Sequence, residues 1–411
     1  MAKVHKVMIA GAGGIGRAVA LILRELGNLQ VEVFLGDGNE VAAREAADWV
    51  RAGSDNPLPV TPCHLPVDGS PGSFHQYLDS GDILLDCLPG SVAPRMAALA
   101  REHHLHYANL TEYVQETRQV MRLAEGADTG FLLQTGLAPG CINVLAHGLY
   151  RRFCQRFGVE KVEAISMRVG ALPQNAVAPH HYGFTWSPIG VATEYLKPAV
   201  VVRDFKTTTR RSLTGIKELR IKGMIYEEAL TSGGAADLPD ALAGKVRNMD
   251  YKTLRYPGHW AWVKRTLENF SPDEEADREK RLQEIMEREV PAVKDDLVVI
   301  YADVEGLDSQ GRRQRLETSR IVEPCYVGHQ QLQAIQATTA AGLAESARLL
   351  LGGSYRGVVL QSHIDAEDFL YGPYVRPIYF YEEIRHAHSP AAGRHGDPHP
   401  RSVAGKGADY S

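Results

Sequence analysis

The sequence predicts an α/β protein: a doubly wound parallel sheet followed by a second α+β domain of mostly antiparallel sheet. Three observations predict it. An apolar run, Val7-Met8-Ile9-Ala10, leads directly into the turn Gly11-Ala12-Gly13-Gly14-Ile15-Gly16. Strand-like and helix-like stretches then alternate as far as about residue 135, the pattern of a parallel sheet with crossover helices. Beyond residue 140 that alternation stops, and strand-like runs follow one another without long helices between them.

The first turn has the form G-x-G-x-x-G. It opens an amphipathic helix with Ile15, Val19, Ile22, Leu23 and Leu26 at helical spacing. Gly11 permits the tight turn, Gly13 lets the backbone approach a pyrophosphate, and Gly16 lets strand and helix pack closely. Gly14 and Ile15 complete the loop at the helix N-terminus, where free N–H groups and the positive dipole end meet an anion. Residues 31–35 read as the second strand, with Asp37 just past its end. Asp37 stands about 20 residues beyond the last glycine, where a carboxylate takes the adenosine ribose hydroxyls. A carboxylate there repels a 2′-phosphate, and Gly38-Asn39 supplies no arginine to receive one. The expected cofactor is therefore NAD, with NADP disfavoured, in a Rossmann domain.

The remaining elements follow in order. Residues 41–50 read as a helix, 60–67 as a proline-interrupted strand ending at Asp68, and 82–89 as a strand closing on Leu88-Pro89. Residues 93–102 read as a helix, 106–110 as a strand, 111–125 as a helix and 131–134 as a sixth strand. Ligands bind beyond the carboxyl ends of such strands. The glycine loop, Asp37, Asp68, Leu88-Pro89 and Asn109-Leu110 therefore share one rim. Residues 135–140, TGLAPG, break the pattern, and a helix runs from 141 to about 157. Residues 161–170, 198–205 and 217–222 read as strands. Residues 271–289 read as a charged helix with Ser271 as N-cap and Pro272 in its first turn. Residues 297–304 and 315–322 read as a hairpin, 331–351 as an Ala-rich helix and 357–360 as a short strand. The expected domains are 1–140 for dinucleotide, 141–330 as the second, α+β domain, 331–385 as a C-terminal segment, and 386–411 as a disordered tail rich in Pro, Gly, Ser and His. Its His386, His388, His395 and His399 read as solvated residues rather than metal ligands.

Composition bounds the rest. The 411 residues suffice for two domains, and 44% hydrophobic with 23% charged residues is ordinary for a globular protein. A net charge of −5 gives no reason to expect nucleic acid or an anionic membrane. The five cysteines form no C-x-x-C and suggest neither a disulfide framework nor a zinc site. With no signal-like or membrane-spanning run, a cytoplasmic location is expected.

Four motifs lie past the first domain: 136–143 (GLAPGCIN), 169–174 (VGALPQ), 185–190 (TWSPIG) with Glu194-Tyr195, and 253–259 (TLRYPGH). With the N-terminal fingerprint they resemble the saccharopine dehydrogenase superfamily over about residues 4–380. The third and fourth motifs are most similar to its lysine 6-dehydrogenase members. The resemblance implies a Rossmann doubly wound domain carrying the α+β domain as an inserted second domain for substrate and dimerisation, with the C-terminal segment 331–385 returning to the first. It further implies nicotinamide-linked oxidation of a carbon–nitrogen bond in the side chain of an amino acid, or its reverse, a small amino acid or polyamine-like substrate, and a homodimer. It also exposes two departures: Asn109 and Gln134 stand where such proteins carry aspartate.

The chemistry selects the candidate residues. A nitrogen must lose its proton before its lone pair can expel hydride, so an ammonium needs a base or desolvation. Glu112, expected in the first turn of a helix on the rim, is one candidate, with a capping charge as its plainer role. Tyr182 and His181 are the others for acid–base work. His180 and His181 together lack a third metal ligand, so no metal is expected. Arg255 reads either as a bidentate clamp for the substrate carboxylate or as a structural ion pair. Trp186 and His259 read as substrate contacts or as packed residues. Gly136, Pro139 and Gly140 offer exposed backbone as a wall for the nicotinamide. Cys141 reads as a packed residue. The reading of another class is a nucleotide-binding sensor or scaffold without catalysis, motivated by Asn109 and Gln134.

Overall fold

The computed structural model describes residues 3–176, 178–270 and 277–380. The predicted tail, and the predicted helix start at Ser271 and Pro272, lie outside the described residues.

Six strands build the first sheet: β1 (Val4–Ala10), β2 (Gln30–Asp37), β3 (Val60–His64), β4 (Ile83–Asp86), β5 (His106–Asn109) and β6 (Gly130–Leu132). Their pairings are all parallel, and β4 lies between β1 and β5. The helices α1 (Gly14–Glu25), α2 (Glu40–Ala52), α3 (Ala93–Glu102) and α4 (Val114–Ala124) connect them. The apolar stripe of α1 buries Val19, Ile22 and Leu23 completely, each contributing about 1.5–3 kcal/mol by removal from water. The register Ala10↔Asp86 and Asp86↔Asn109 brings the ends of β1, β4 and β5 level, so the loops that follow them share one rim.

Three boundaries differ from the sequence reading. Strand β3 stops at His64, before Pro66, so Asp68 falls in an exposed turn where its carboxylate accepts from the Ser70 N–H (2.9 Å) and hydroxyl (2.7 Å). Helix α4 begins at Val114, not 111, because the Tyr113 N–H turns back to the Thr111 hydroxyl (3.3 Å). Glu112 therefore sits in the loop before the helix, not in its first turn. Strand β6 ends at Leu132, and Gln134 takes a left-handed backbone (φ 61°).

The chain leaves this sheet through α5 (Cys141–Phe157) and enters a mixed sheet of eight strands: β7 (Val162–Pro173), β8 (Ala199–Arg203), β9 (Lys206–Arg210), β10 (Lys217–Ile221), β11 (Met224–Leu230), β12 (Val246–Arg255), β13 (Asp296–Leu307) and β14 (Arg313–Val322). All its pairings are antiparallel except that of β7 with β12. The helices α6 (Pro188–Leu196), α7 (Leu238–Ala241), α8 (His259–Glu268) and α9 (Arg278–Glu289) lie between its strands in sequence order. A small ribbon, β15 (Cys325–Val327) with β16 (Gln330–Leu332), leads to α10 (Ala334–Leu351), and β17 (Gly357–Val359) then pairs parallel with β6, making a seventh strand of the first sheet. The Asp296 carboxylate of β13 accepts from the Ala334 N–H (2.7 Å) and the Ile335 N–H (2.8 Å), capping α10 from the other sheet. Among the described residues no helix is long and apolar enough to cross a membrane, and all five cysteines are free.

Candidate active site

The glycine loop has the shape its spacing requires. Gly11 has φ +101°, and its N–H bonds to the Gly36 carbonyl at 2.7 Å. A side chain at Gly16 would meet the Gly11 carbonyl at 1.8 Å, so only glycine lets β1 and α1 approach this closely. A side chain at Gly13 would meet nothing within 4 Å. The space above Gly13 is open beside the first N–H groups of α1, which fits a pyrophosphate. Gly14 is closed instead by the Gln336 side chain of α10 (2.8 Å). Asp37 reaches back to the loop: its Oδ2 accepts from the Ala12 N–H and its Oδ1 from the Asn39 N–H, both at 2.9 Å.

Below the rim lies a run of linked, buried polar groups. The Tyr107 hydroxyl donates to Asp86 at 2.8 Å, the Asn109 amide donates to that hydroxyl at 3.3 Å, and Asn109 Oδ1 accepts from the Gln134 N–H at 2.9 Å. Burial pushes the Asp86 carboxyl up to about 6, opposed by its bonds from Tyr107 and the Leu88 N–H. Asn109 is thus a tie between β5 and the loop after β6. Its amide both donates and accepts, which a carboxylate cannot do.

Between the two sheets is a cavity of about 380 Å³ at the carboxyl ends of the parallel strands. Ile15, Leu88, Pro89, Gly136 and Pro139 form its dinucleotide side, and Trp186, Glu194, Tyr251 and Arg255 its other side. Glu112 lines it from the first domain. Gly140 stands just behind: it has φ +131°, and a side chain there would strike the Gly136 carbonyl at 2.2 Å, so it holds the wall from outside. The Trp186 ring lies over Gly190, where a side chain would come within 2.3 Å of it.

Arg255 is 1% exposed and already engaged. It ends β12, and its Nε donates to the Tyr195 hydroxyl at 2.8 Å while Nη2 donates to Glu194 Oε1 at 3.1 Å. Its guanidinium carbon lies 4.5 Å over the Tyr182 ring. His259 stands behind this group, fully buried, with Nδ1 at 2.7 Å from the His180 carbonyl and Nε2 at 3.0 Å from the Tyr195 hydroxyl. A carbonyl only accepts, so Nδ1 carries the proton and Nε2 accepts from Tyr195. Burial beside Arg255 holds the His259 imidazole neutral.

Three of the expected catalytic and substrate-contact residues therefore stand outside the cavity wall. His259 and Tyr182 pack beneath Arg255. Burial pushes the Tyr182 hydroxyl up to about 12, opposed by Arg255, so it stays protonated. His181, with φ 49°, lays its ring over Gly258, where a side chain would meet it at 2.8 Å. Asp68 is likewise away from the cavity.

The acid the sequence reading missed as a site residue is Glu194. Its signal was its place beside Tyr195 after the third motif. Burial pushes its carboxyl up to about 7, opposed by Arg255. Burial, and then the charge of Glu194, push Glu112 up to about 8, with Lys197 opposing. Two carboxyl groups that line one largely apolar cavity, both shifted toward neutral pH, are the arrangement general acid–base chemistry uses.

Comparison with known proteins accords with this layout. Residues 7–130 match the family model of the saccharopine dehydrogenase NADP binding domain, and residues 136–378 that of the saccharopine dehydrogenase C-terminal domain. Over 201 residues, 48% of this protein, the mitochondrial alpha-aminoadipic semialdehyde synthase of Mus musculus is 22% identical, and the match spans 20% of that relative's length. Apo saccharopine dehydrogenase (L-Glu forming) from Saccharomyces cerevisiae has a TM-score of 0.71 at 16% identity, covering 91% of this protein and 98% of its own length. Homospermidine synthase from Legionella pneumophila, solved with NAD, has a TM-score of 0.61 at 12% identity, covering 98% and 96%. At these identities the two structures share the fold.

Proposed function

The protein belongs to the saccharopine dehydrogenase family, and from that premise we propose that it is an NAD-dependent oxidoreductase acting on a carbon–nitrogen bond in the side chain of an amino acid, with lysine as leading substrate. The observation that carries this reading is the cavity itself. It joins the glycine-loop side of the first domain to Glu112 and Glu194, and its lining residues include one guanidinium, that of Arg255.

That balance of charge favours an amine over a polycarboxylate. Saccharopine has three carboxylates, and the cations that could have met them are turned elsewhere. Arg168 is buried between Glu228 and Asp250, Arg203 bonds Asp250 at 2.6 Å, and Arg247 bonds Glu163 at 3.0 Å. Arg210 and Arg211 are exposed and do not line the cavity. Lysine brings one carboxylate and two ammonium groups, which one arginine and two glutamates balance.

The cofactor supplies the hydride acceptor. The loop 11–16 holds its pyrophosphate, Asp37 its ribose, and Leu88, Pro89, Gly136 and Pro139 wall its reactive ring. The Asp37 carboxylate, which accepts two backbone N–H groups and has no arginine paired with it among the described residues, supports NAD over NADP. Trp186 flanks the aliphatic stem of the substrate and excludes water from it. A carboxylate of the cavity receives the proton that the substrate nitrogen must lose. A homodimer is part of the same proposal.

The test is NADH formation with lysine, saccharopine and diamines as separate substrates. Turnover of lysine with little of saccharopine is expected. Tight NAD binding without oxidation of any amine would replace this reading with that of a non-catalytic dinucleotide-binding protein.

A further inference from the structure

Resting on the amine reading above, we infer that Glu112 and Glu194 work as one unit with divided tasks: Glu194 is the fixed anion that seats the substrate's ammonium group, and Glu112 is the base that takes its proton. Both side chains line the same cavity from opposite domains. What separates their roles is their neighbours. Glu194 is tied to Arg255, which Tyr195 and the neutral His259 hold in place through successive bonds of 3.1, 2.8 and 3.0 Å. Its carboxylate is tethered, and the cation beside it opposes the burial that favours its neutral form. Glu112 sits in a loop against Gly233 and, among the described residues, forms no ion pair.

The groups that act on Glu112 are few. Glu194 repels its charge and Lys197 attracts it. The rings of Tyr113 and Tyr251 lie within its field, and Lys197 is partly spent over the Tyr113 ring at 4.9 Å. In this setting Glu112 carries its proton at neutral pH when the cavity holds no cation. An ammonium group entering beside Glu194 reverses the balance: it favours the ionised form of Glu112, whose proton leaves to solvent. The carboxylate so formed is the acceptor that turnover needs. It takes an N–H proton from the substrate, the nitrogen lone pair closes a C=N bond, and the C–H electron pair leaves as hydride to NAD⁺, the oxidant. One proton and one hydride leave the ammonium form of the substrate, and the product is an iminium ion that water opens. Arg255 in this scheme is a positioning residue for Glu194.

Proton release on binding tests the pair without requiring turnover. Lysine is titrated at pH 7 into the full-length protein loaded with NADH, by calorimetry in phosphate and in Tris, whose heats of ionisation differ. Wild type is expected to release about one proton per lysine bound. Glu112→Gln should bind lysine and release markedly less, the remainder coming from Glu194. Glu194→Gln should bind at least ten-fold more weakly and release less, because losing the neighbouring charge lets Glu112 ionise beforehand. Thermal melts with and without NADH show whether each variant is folded. Failure of wild type to bind lysine, or unchanged release in Glu112→Gln, overturns the pair. Proton release without NADH formation in the NAD⁺-loaded enzyme keeps the pair and removes the dehydrogenase reading. Turnover without proton release does the opposite.

Discussion

Arg255 Nη2 donates to Glu194 Oε1 at 3.1 Å inside a group of aromatic rings, with both side chains buried. A guanidinium so placed has one edge committed before any substrate arrives. It can still present charge to the cavity, but it does so as half of an internal pair. Removing one partner of a buried pair leaves the other unpaired, at a typical cost of about 3–5 kcal/mol. Arg255→Met should therefore lower the melting temperature markedly. Arg255→Lys should recover part of the loss, but not the bond to Tyr195. Melting curves of the two variants against wild type check this.

Stability should fall as pH rises from about 5 to 8, and Glu112 should account for part of it. Its folded carboxyl is pushed up to about 8 by burial and Glu194, above its usual range when unfolded. In that window the folded protein holds a proton that the unfolded one releases, so rising pH favours unfolding. Glu112→Gln should match wild type at pH 5 and exceed it at pH 8. A difference in melting temperature that does not grow with pH would contradict the assignment.

Two glycines of the loop should separate folding from binding. At Gly16 an added methyl meets the Gly11 carbonyl at 1.8 Å, so Gly16→Ala should destabilise the empty protein and abolish NAD binding. At Gly13 the added methyl meets no atom within 4 Å. Gly13→Ala should melt like wild type without cofactor, yet bind NAD at least ten-fold more weakly, because the methyl fills space the pyrophosphate needs. Melting and fluorescence titration on the same samples test both.

Asp37→Ala should weaken NAD more than NADP. It should also cost roughly 1 kcal/mol of stability, since the carboxylate accepts the Ala12 N–H at 2.9 Å. Equal losses for the two dinucleotides would mean that the carboxylate does not touch the ribose.

Asn109→Asp introduces the residue that the family resemblance leads one to expect there. It should destabilise by about 1–3 kcal/mol and raise no activity above that of wild type. Asn109 donates to Tyr107, whose hydroxyl already bonds Asp86, and a second carboxylate there sets two buried acids around one tyrosine. Thermal melts and NADH formation with lysine decide it.

The parts of this protein that were legible in the sequence are those whose physics is local. The glycine loop, its helix and Asp37 act within one strand–turn–helix unit, so spacing alone revealed them. The hairpin of β13 and β14 likewise followed from two strand-like runs joined by a polar loop. Arg255 was not legible in the same way. Its partners Tyr195 and Glu194 lie 60 and 61 positions away, and only the packing of α6 against β12 brings them together. Strand β12 itself escaped because Arg247, Asp250 and Lys252 interrupt its apolar pattern. The last two are paired across the sheet with Arg168, Arg203 and Glu228 rather than facing water. Glu112 was recognised, but its setting was misread: a turn held by Thr111 delays the helix and leaves the acid on the cavity wall instead of in a capping position.

The cap that Asp296 places on α10 joins the second sheet to the helix whose Gln336 closes the glycine loop at Gly14. The half-exposed Ile189 lines the cavity, and Ile189→Trp should slow the exchange of reactant and product, read as a lower kcat.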